Sequence, residues 1–300
     1  MPSKFATTLQ KLIIEASLSR QEKDRIKNNF DQAPKSVLII GGAGRLGKWL
    51  CRFFADSGHR ISVIDLIHPN FPCSYSQDLD ASAESHDIIV VATPIRPSID
   101  IIKQIIKLKP KKPVIFDVLS VKAPVYQALL ALKDTGAKVT SLHPMFGPSV
   151  ELLFGKHIIR TSLGVEKADH MVNEIFRATS LQVVDMSIDS HDAMISILLS
   201  LSHLVNISFV RALTKSGFSI PYLKKFSSPT FSNLLKVAHK VLSENPHLYY
   251  EIQALNPHSK EAQKKLSESL LEVIGAVEKF DEASFVAIMK DGEQFLADVS

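Results

Sequence analysis

The stretch VLIIGGAGRLG, residues 37–47, runs four consecutive apolar residues straight into a glycine-rich turn. A short apolar run with no alternation, closed by glycine, is the pattern of a strand buried on both faces, as in parallel sheets covered by helices. Gly42, Gly44 and Gly47 fall in the spacing G-x-G-x-x-G, and Arg45 and Leu46 lead into a helical stretch at 46–57. At such a strand–turn–helix junction the first backbone N–H groups of the helix lack an internal partner, and they form a pyrophosphate-binding site. The glycine spacing alone is a weak signal. It gains weight from Asp65, near the end of a second strand-like run at 61–66 (ISVIDL), eighteen residues beyond Gly47. A carboxylate there accepts hydrogen bonds from the hydroxyls of an adenosine ribose and repels a 2′-phosphate. The residues that follow, Leu66, Ile67 and His68, include no arginine to attract one. The combination predicts a dinucleotide-binding domain that takes NAD in preference to NADP.

Outward from this stretch, apolar runs at 87–92 (DIIVVA), 114–118 (VIFDV), 138–142 (KVTSL), 156–161 (KHIIRT) and 181–186 predict further strands, with a helix at 97–108. Strands alternating with helices at this spacing predict an α/β Rossmann-type parallel sheet. After Ser187 the strand signals give way to long helical periodicities. The expected organisation is therefore an N-terminal helical extension at 1–33, an NAD-binding domain at 34–186 and an all-helical domain at 187–300. The extension carries one charged amphipathic helix at 9–29, which reads as a dimer arm, a remnant of a further domain or a solvated helix.

A length of 300 residues suffices for two domains. The net charge of +4 is spread along the chain, whereas a nucleic-acid interface needs a dense basic stripe. Cys51 and Cys73 are the only cysteines, too few for a disulfide framework or a zinc-type cluster, so no metal is expected. The N-terminus has only three or four apolar residues in a row before Glu15, too short for a secretory signal, and a cytoplasmic location is expected. Residues 193–212 carry a single charge, Arg211, but four serines, His203 and Asn206 interrupt them. A lone membrane span does not usually hold so many polar groups, so the expected reading is a helix buried by its own domain or by a second subunit.

Ligands of a parallel sheet bind at the carboxyl ends of its strands. Three expected ends carry distinctive residues: Thr93-Pro94, Ser120-Val121-Lys122 and His143-Pro144, the last opening a rigid turn, HPMFGP. All three are expected to converge on the nicotinamide end of the cofactor. A histidine there can accept a substrate hydroxyl proton while hydride leaves the same carbon, since its ordinary pKa lies near neutrality. The bland alternative is a turn histidine bonded to backbone. Ser120 would hold the same hydroxyl or orient the imidazole.

The motifs GGAGRLG, DVLSVK, LHPMFGP and SHDAM (residues 190–194), followed by SSPTF and ENPHLYYEI, together resemble the prephenate dehydrogenase family, most closely the dehydrogenase portion of its bifunctional chorismate mutase fusions. The resemblance runs from about Ser36 to the C-terminus. It implies oxidative decarboxylation of prephenate by NAD to 4-hydroxyphenylpyruvate, in a homodimer joined through its helical domain. On the matching positions it implies that His143 is the catalytic histidine, Ser120 the hydroxyl-binding serine and His191 a substrate-pocket histidine. Lys122 is a further candidate for holding substrate. One departure stands out. The family's carboxylate-binding arginine lies six residues before the proline matched here by Pro246, and that position is Lys240, which keeps the charge but not the bidentate fork. Arogenate and 4-amino-4-deoxyprephenate are the alternative substrates. A non-catalytic NAD-binding protein is a further alternative, and an imine or β-hydroxyacid reductase is disfavoured because Ser202-His203-Leu204 stands where those enzymes carry a catalytic lysine.

Overall fold

Eight strands, β1 (Ser36–Ile40), β2 (Arg60–Ile64), β3 (Ser74–Ser76), β4 (Ile88–Val91), β5 (Val114–Asp117), β6 (Lys138–Pro144), β7 (His157–Arg160) and β8 (Gln182–Asp185), form one sheet in the order β3-β2-β1-β4-β5-β6-β7-β8. The computed structural model describes residues 4–28 and 33–297, which divide into two units between Asp192 and Ala193. Helix α1 (Lys4–Asn28) precedes the sheet, and the expected helix end at Asn29 lies outside the described residues. Helices α2 (Arg45–Asp56), α3 (Ile95–Leu108) and α4 (Ala123–Asp134) connect parallel strands, and α5 (Glu166–Phe176) joins β7 to β8.

Every residue of β4 and β5 is buried, which explains why their sequences show no polar alternation. Helix α2 presents Trp49, Leu50, Phe53 and Phe54 along one stripe, the helical spacing of a core-facing side. Phe53 stacks on Trp49 and on Phe176 of α5, each at 5.5 Å between ring centres. Burying a side chain such as Phe54 contributes roughly 1.5–3 kcal/mol, so this stripe fixes how the glycine turn is aimed. From β1 the chain turns one way to β2 and β3, then returns to β4 on the other side. That reversal creates the crevice at the carboxyl ends of β1 and β4 where open α/β sheets take their ligands.

The structure corrects the sequence reading in three places. The sheet is not wholly parallel: β7 runs antiparallel to β6 and parallel to β8. The link between β6 and β7 contains no helix, and without a crossover the chain returns beside β6 in the opposite direction. His143 does not open a turn either. It sits inside β6, opposite Ile159, with Pro144 still in the ladder opposite Ile158. Strand β3 was not expected, because its three residues, Ser-Tyr-Ser, carry no apolar run. The first compact unit ends at Asp192, so it includes His191 and Asp192.

The last two turns of α1 are fixed to the first unit. Glu22 is buried there, its carboxylate accepting the N–H of Leu153 at 2.6 Å and of Ser180 at 2.8 Å. Leu9, Leu12, Ile13 and Ile14 nearer the start of the helix are exposed.

The division between units falls in α6 (Ile188–Ile195). A π-helical stretch, Ser196–Leu201, follows, and then α7 (Ser202–Lys215), α8 (Ile220–Lys225), α9 (Pro229–Leu242), α10 (Pro246–Leu255), α11 (Ser259–Glu278) and α12 (Glu282–Phe295). Residues Ile188–Lys215 are long and apolar enough to cross a membrane by length and composition. Ser200, on the π-helical stretch, is instead buried among polar partners of the same unit, bonding to the Ser259 hydroxyl at 2.6 Å and accepting the Gln253 amide on its carbonyl at 2.7 Å. Large apolar side chains on this unit stay exposed, among them Phe226, Leu270, Leu271, Met289 and Phe295. A monomeric soluble domain rarely leaves so many uncovered.

Candidate active site

The glycine turn leaves the end of β1 at Gly41 and enters α2 at Arg45. A side chain on Gly47 would collide with the Gly41 carbonyl, so this glycine serves the turn itself. Gly44 is different. It caps α2 with ordinary extended angles, is exposed, and a Cβ there would meet only the Gly41 oxygen at 3.2 Å. That contact is already tight against backbone, and a phosphate drawn close to the first N–H groups of α2 would likewise require the position bare. Gly42 is buried beneath, and Leu46 is half-buried beside exposed Arg45. Asp65 follows β2, where its carboxylate accepts the Ala43 N–H at 2.8 Å and the Ile67 N–H at 3.2 Å. One side chain thus ties the glycine turn to the ribose position. These residues fit a dinucleotide: donors for the pyrophosphate, an acceptor for the ribose, and no bulk between them.

Beyond β4, Thr93 hydrogen-bonds through its hydroxyl to Ser98 at 2.8 Å, and Pro94 caps α3. Beyond β5, Ser120 is half-buried in the link that leads to Lys122. At the end of β6 lies a buried polar cluster made entirely within the first unit. His143 Nδ1 is 3.0 Å from His191 Nε2, and His191 Nδ1 is 2.7 Å from Asp192 Oδ1. The Asp192 carboxylate also accepts the backbone N–H groups of Lys122, at 2.9 Å, and Ala123, at 2.7 Å. It thereby caps α4 from a residue 70 positions away. The Lys122 ammonium donates to Asp117 Oδ1 at 2.7 Å and to the Leu142 carbonyl at 2.6 Å.

Burial shapes the charge states here. It pushes His143 well below the usual imidazole range, with the Lys122 charge and His191 acting in the same direction. It lowers His191 as well, against the opposing hydrogen bond that His191 donates to Asp192. Burial raises Asp192, but the hydrogen bonds from His191, Lys122 and Ala123 outweigh it and leave the carboxylate below its ordinary value. The cluster therefore holds two neutral imidazoles beside one ammonium and two carboxylates. A neutral imidazole at a strand end is a base ready for a hydroxyl proton.

The comparisons with known proteins meet this geometry at both ends of the chain. A family model described as the prephenate dehydrogenase nucleotide-binding domain matches residues 72–184, and one described as the prephenate dehydrogenase dimerization domain matches residues 187–291. The chain belongs to the prephenate dehydrogenase family. It is 27% identical over 266 residues to the "Probable arogenate/prephenate dehydrogenase" of Methanocaldococcus jannaschii, a match covering 85% of this chain and 60% of that relative's length. It is 23% identical over 293 residues to the "T-protein" of Enterobacter agglomerans, covering 95% of this chain and 76% of the other. The crystal structure of prephenate dehydrogenase from A. aeolicus in complex with hydroxyphenyl propionate and NAD+ shares the fold, with a TM-score of 0.70 at 19% identity over 90% of this chain and 100% of that one.

Within this family member, two of the expected site residues have different surroundings from those the sequence suggested. Lys122 was expected to hold substrate, yet its side chain is fully buried and committed to Asp117 and the Leu142 carbonyl. His191 was expected to line the substrate pocket. It is fully buried and spans His143 and Asp192. Lys240 lies in the second unit, exposed in the last turn of α9 beside exposed His239. Asp117 and Asp192 were missed altogether. A signal existed for both: a carboxylate inside the otherwise apolar strand VIFD, and one directly after a histidine in SHDAM, are too costly to bury without a partner.

Proposed function

We propose that this protein oxidatively decarboxylates prephenate to 4-hydroxyphenylpyruvate with NAD as oxidant, His143 serving as the base. The observation that carries the reading is the neutral, buried imidazole of His143 at the end of β6, in a chain of this family. Gly42, Gly44, Gly47 and the start of α2 (Arg45, Leu46) would hold the pyrophosphate, Asp65 the ribose, and Thr93 and Pro94 would border the crevice. Bound NAD supplies the acceptor for the hydride that leaves the hydroxyl-bearing ring carbon. His143 takes the hydroxyl proton, with Ser120 holding the same oxygen. Loss of the ring carboxylate as carbon dioxide then makes the ring aromatic, and the phenolate oxygen recovers the proton from His143. Aromatisation drives the sequence forward, so the chain mainly has to align the reacting carbon and hold two carboxylates. On this reading residues 34–186 bind the cofactor and 187–300 serve substrate binding and homodimerisation. The exposed apolar side chains of the second unit support that last role. A cytoplasmic setting, where two free cysteines stay reduced, fits the same picture.

Purified protein supplied with NAD and, separately, prephenate, arogenate and 4-amino-4-deoxyprephenate tests the reading. The expected result is the highest kcat/KM for prephenate, with 4-hydroxyphenylpyruvate as product. Faster turnover of arogenate moves the substrate while keeping the chemistry; NAD binding with no turnover of any of the three leaves a non-catalytic binder.

Two substitutions follow from this reading. Asp65→Ser is expected to narrow the preference for NAD over NADP by weakening one cofactor and relieving repulsion of the other. Equal use of both cofactors by the unaltered protein contradicts that role. Lys240→Ala is expected to raise KM by roughly ten- to a hundredfold, the scale of one lost charge-assisted hydrogen bond, with NAD affinity unchanged. Lys240→Arg should hold or lower KM by restoring the fork. An unchanged KM in Lys240→Ala shifts the carboxylate partner to Arg96 or Arg211.

A further inference from the structure

We propose that Asp192 is a positioning residue that sets the tautomer of His143 through His191, and that His191 stores the substrate proton during turnover. The second half rests on the reaction proposed above; the first does not. An ionised carboxylate only accepts hydrogen bonds, so His191 Nδ1, at 2.7 Å from Asp192 Oδ1, carries the proton and donates it. His191 Nε2 is then a bare acceptor. His143 Nδ1, at 3.0 Å from it, must be the donor. That leaves His143 Nε2 unprotonated, and it makes no hydrogen bond to the described residues. One carboxylate thereby fixes both rings and presents a lone pair at the only nitrogen free to meet a substrate.

The charges around the pair suit a proton store. Lys122 is paired with Asp117 and His191 with Asp192, so the Asp192 carboxylate stands where it can face one further positive charge on the ring pair. A hydroxyl proton arriving at His143 Nε2 supplies it. The proton already on His143 Nδ1 moves to His191 Nε2, leaving His143 neutral and His191 as imidazolium against the Asp192 carboxylate. The reverse shift returns the proton to the phenolate oxygen, so no proton is gained or lost over the cycle.

Asp192→Asn separates this role from helix capping. The asparagine oxygen can still accept from Lys122 N and Ala123 N, so α4 keeps its cap. Its amide, turned toward His191 Nδ1, donates instead of accepting. His191 then carries its proton on Nε2, His143 Nδ1 becomes the acceptor, and His143 Nε2 bears a hydrogen and cannot act as a base. Nitrogen-15 NMR of histidine-labelled protein above pH 6.5, assigned with His143→Asn and His191→Asn, reads both tautomers directly. In the unaltered protein both rings are expected as Nδ1–H, and in Asp192→Asn both as Nε2–H. In that variant kcat is expected to fall about 10²–10⁴-fold, with KM changed only a few-fold. A His143 Nε2–H tautomer in the unaltered protein overturns the proposal, and that spectrum decides even if Asp192→Asn does not fold. Unchanged tautomers in the variant, or full kcat despite reversed tautomers, overturn it as well. If the spectra are as expected but no cyclohexadienyl acid is turned over, the tautomer device stands and the proposed reaction falls.

Discussion

Replacing His143 by asparagine is expected to lower kcat by about 10²–10⁴-fold, the range for a positioned acid–base group, while NAD affinity stays near that of the unaltered protein. Asparagine keeps a side chain of similar reach that can still bond to His191, so the loss reflects basicity and not a collapsed strand end. The pH dependence carries a second signature. Burial first, then the charge of Lys122 and the neighbouring His191, hold His143 well below the ordinary 6.5. Asp192 and Asp117 face the same cluster and oppose that shift at His191 without reversing it. The acid limb of kcat/KM should therefore lie below pH 6.5, because the base stays neutral where an exposed imidazole would be half protonated. The sign for stability is fixed by the same shift. In the unfolded chain these histidines bind protons from about pH 6.5 downward, and in the folded chain they do not. Stability is fully present above that pH and is lost as pH falls below it. Near-normal kcat in His143→Asn removes this residue from the mechanism.

Lys122→Met is expected to destabilise the first unit by about 3–5 kcal/mol, the cost of leaving a buried carboxylate without its cation. Asp117 already has one carboxylate oxygen, Oδ2, with no partner, and the substitution would strip the ammonium from the other. Against a typical total of about 5–15 kcal/mol, the loss is large. Trp49 is the only tryptophan and packs in the first unit, so its fluorescence during urea unfolding reports on that unit. Adding Asp117→Asn to Lys122→Met removes the stranded charge and should recover most of the lost stability. A lysine that held substrate would behave in the opposite way, with KM raised and the unfolding midpoint unmoved.

The sequence made the cofactor half of the site legible because local chemistry determines it. A glycine turn needs its glycines at set positions, and a ribose acceptor must follow the second strand, so Gly44, Gly47 and Asp65 could be read before any contact was known. The strand ends at Thr93 and Ser120 were legible for the same reason: each follows an apolar run of strand length. The polar cluster was not. Lys122 looks like any strand-end lysine until the fold closes over it, and the Asp117 that neutralises it lies five residues earlier. His191 and Asp192 are distant in sequence from His143, and only the folded chain brings them together. The direction of β7 also escaped, since an apolar run such as HIIR looks the same in either orientation. The helical domain was recognisable as helical, but its exposed apolar face depends on which sides of its helices meet.

The most direct test of the central claim is a stoichiometry. The purified protein is incubated with NAD and prephenate, and reduced cofactor, carbon dioxide and 4-hydroxyphenylpyruvate are counted together, with His143→Asn run beside it. One of each per turnover, slowed at least a hundredfold in the variant, is the result expected here. Reduced cofactor without an aromatic product, or equal rates in the two proteins, would contradict it.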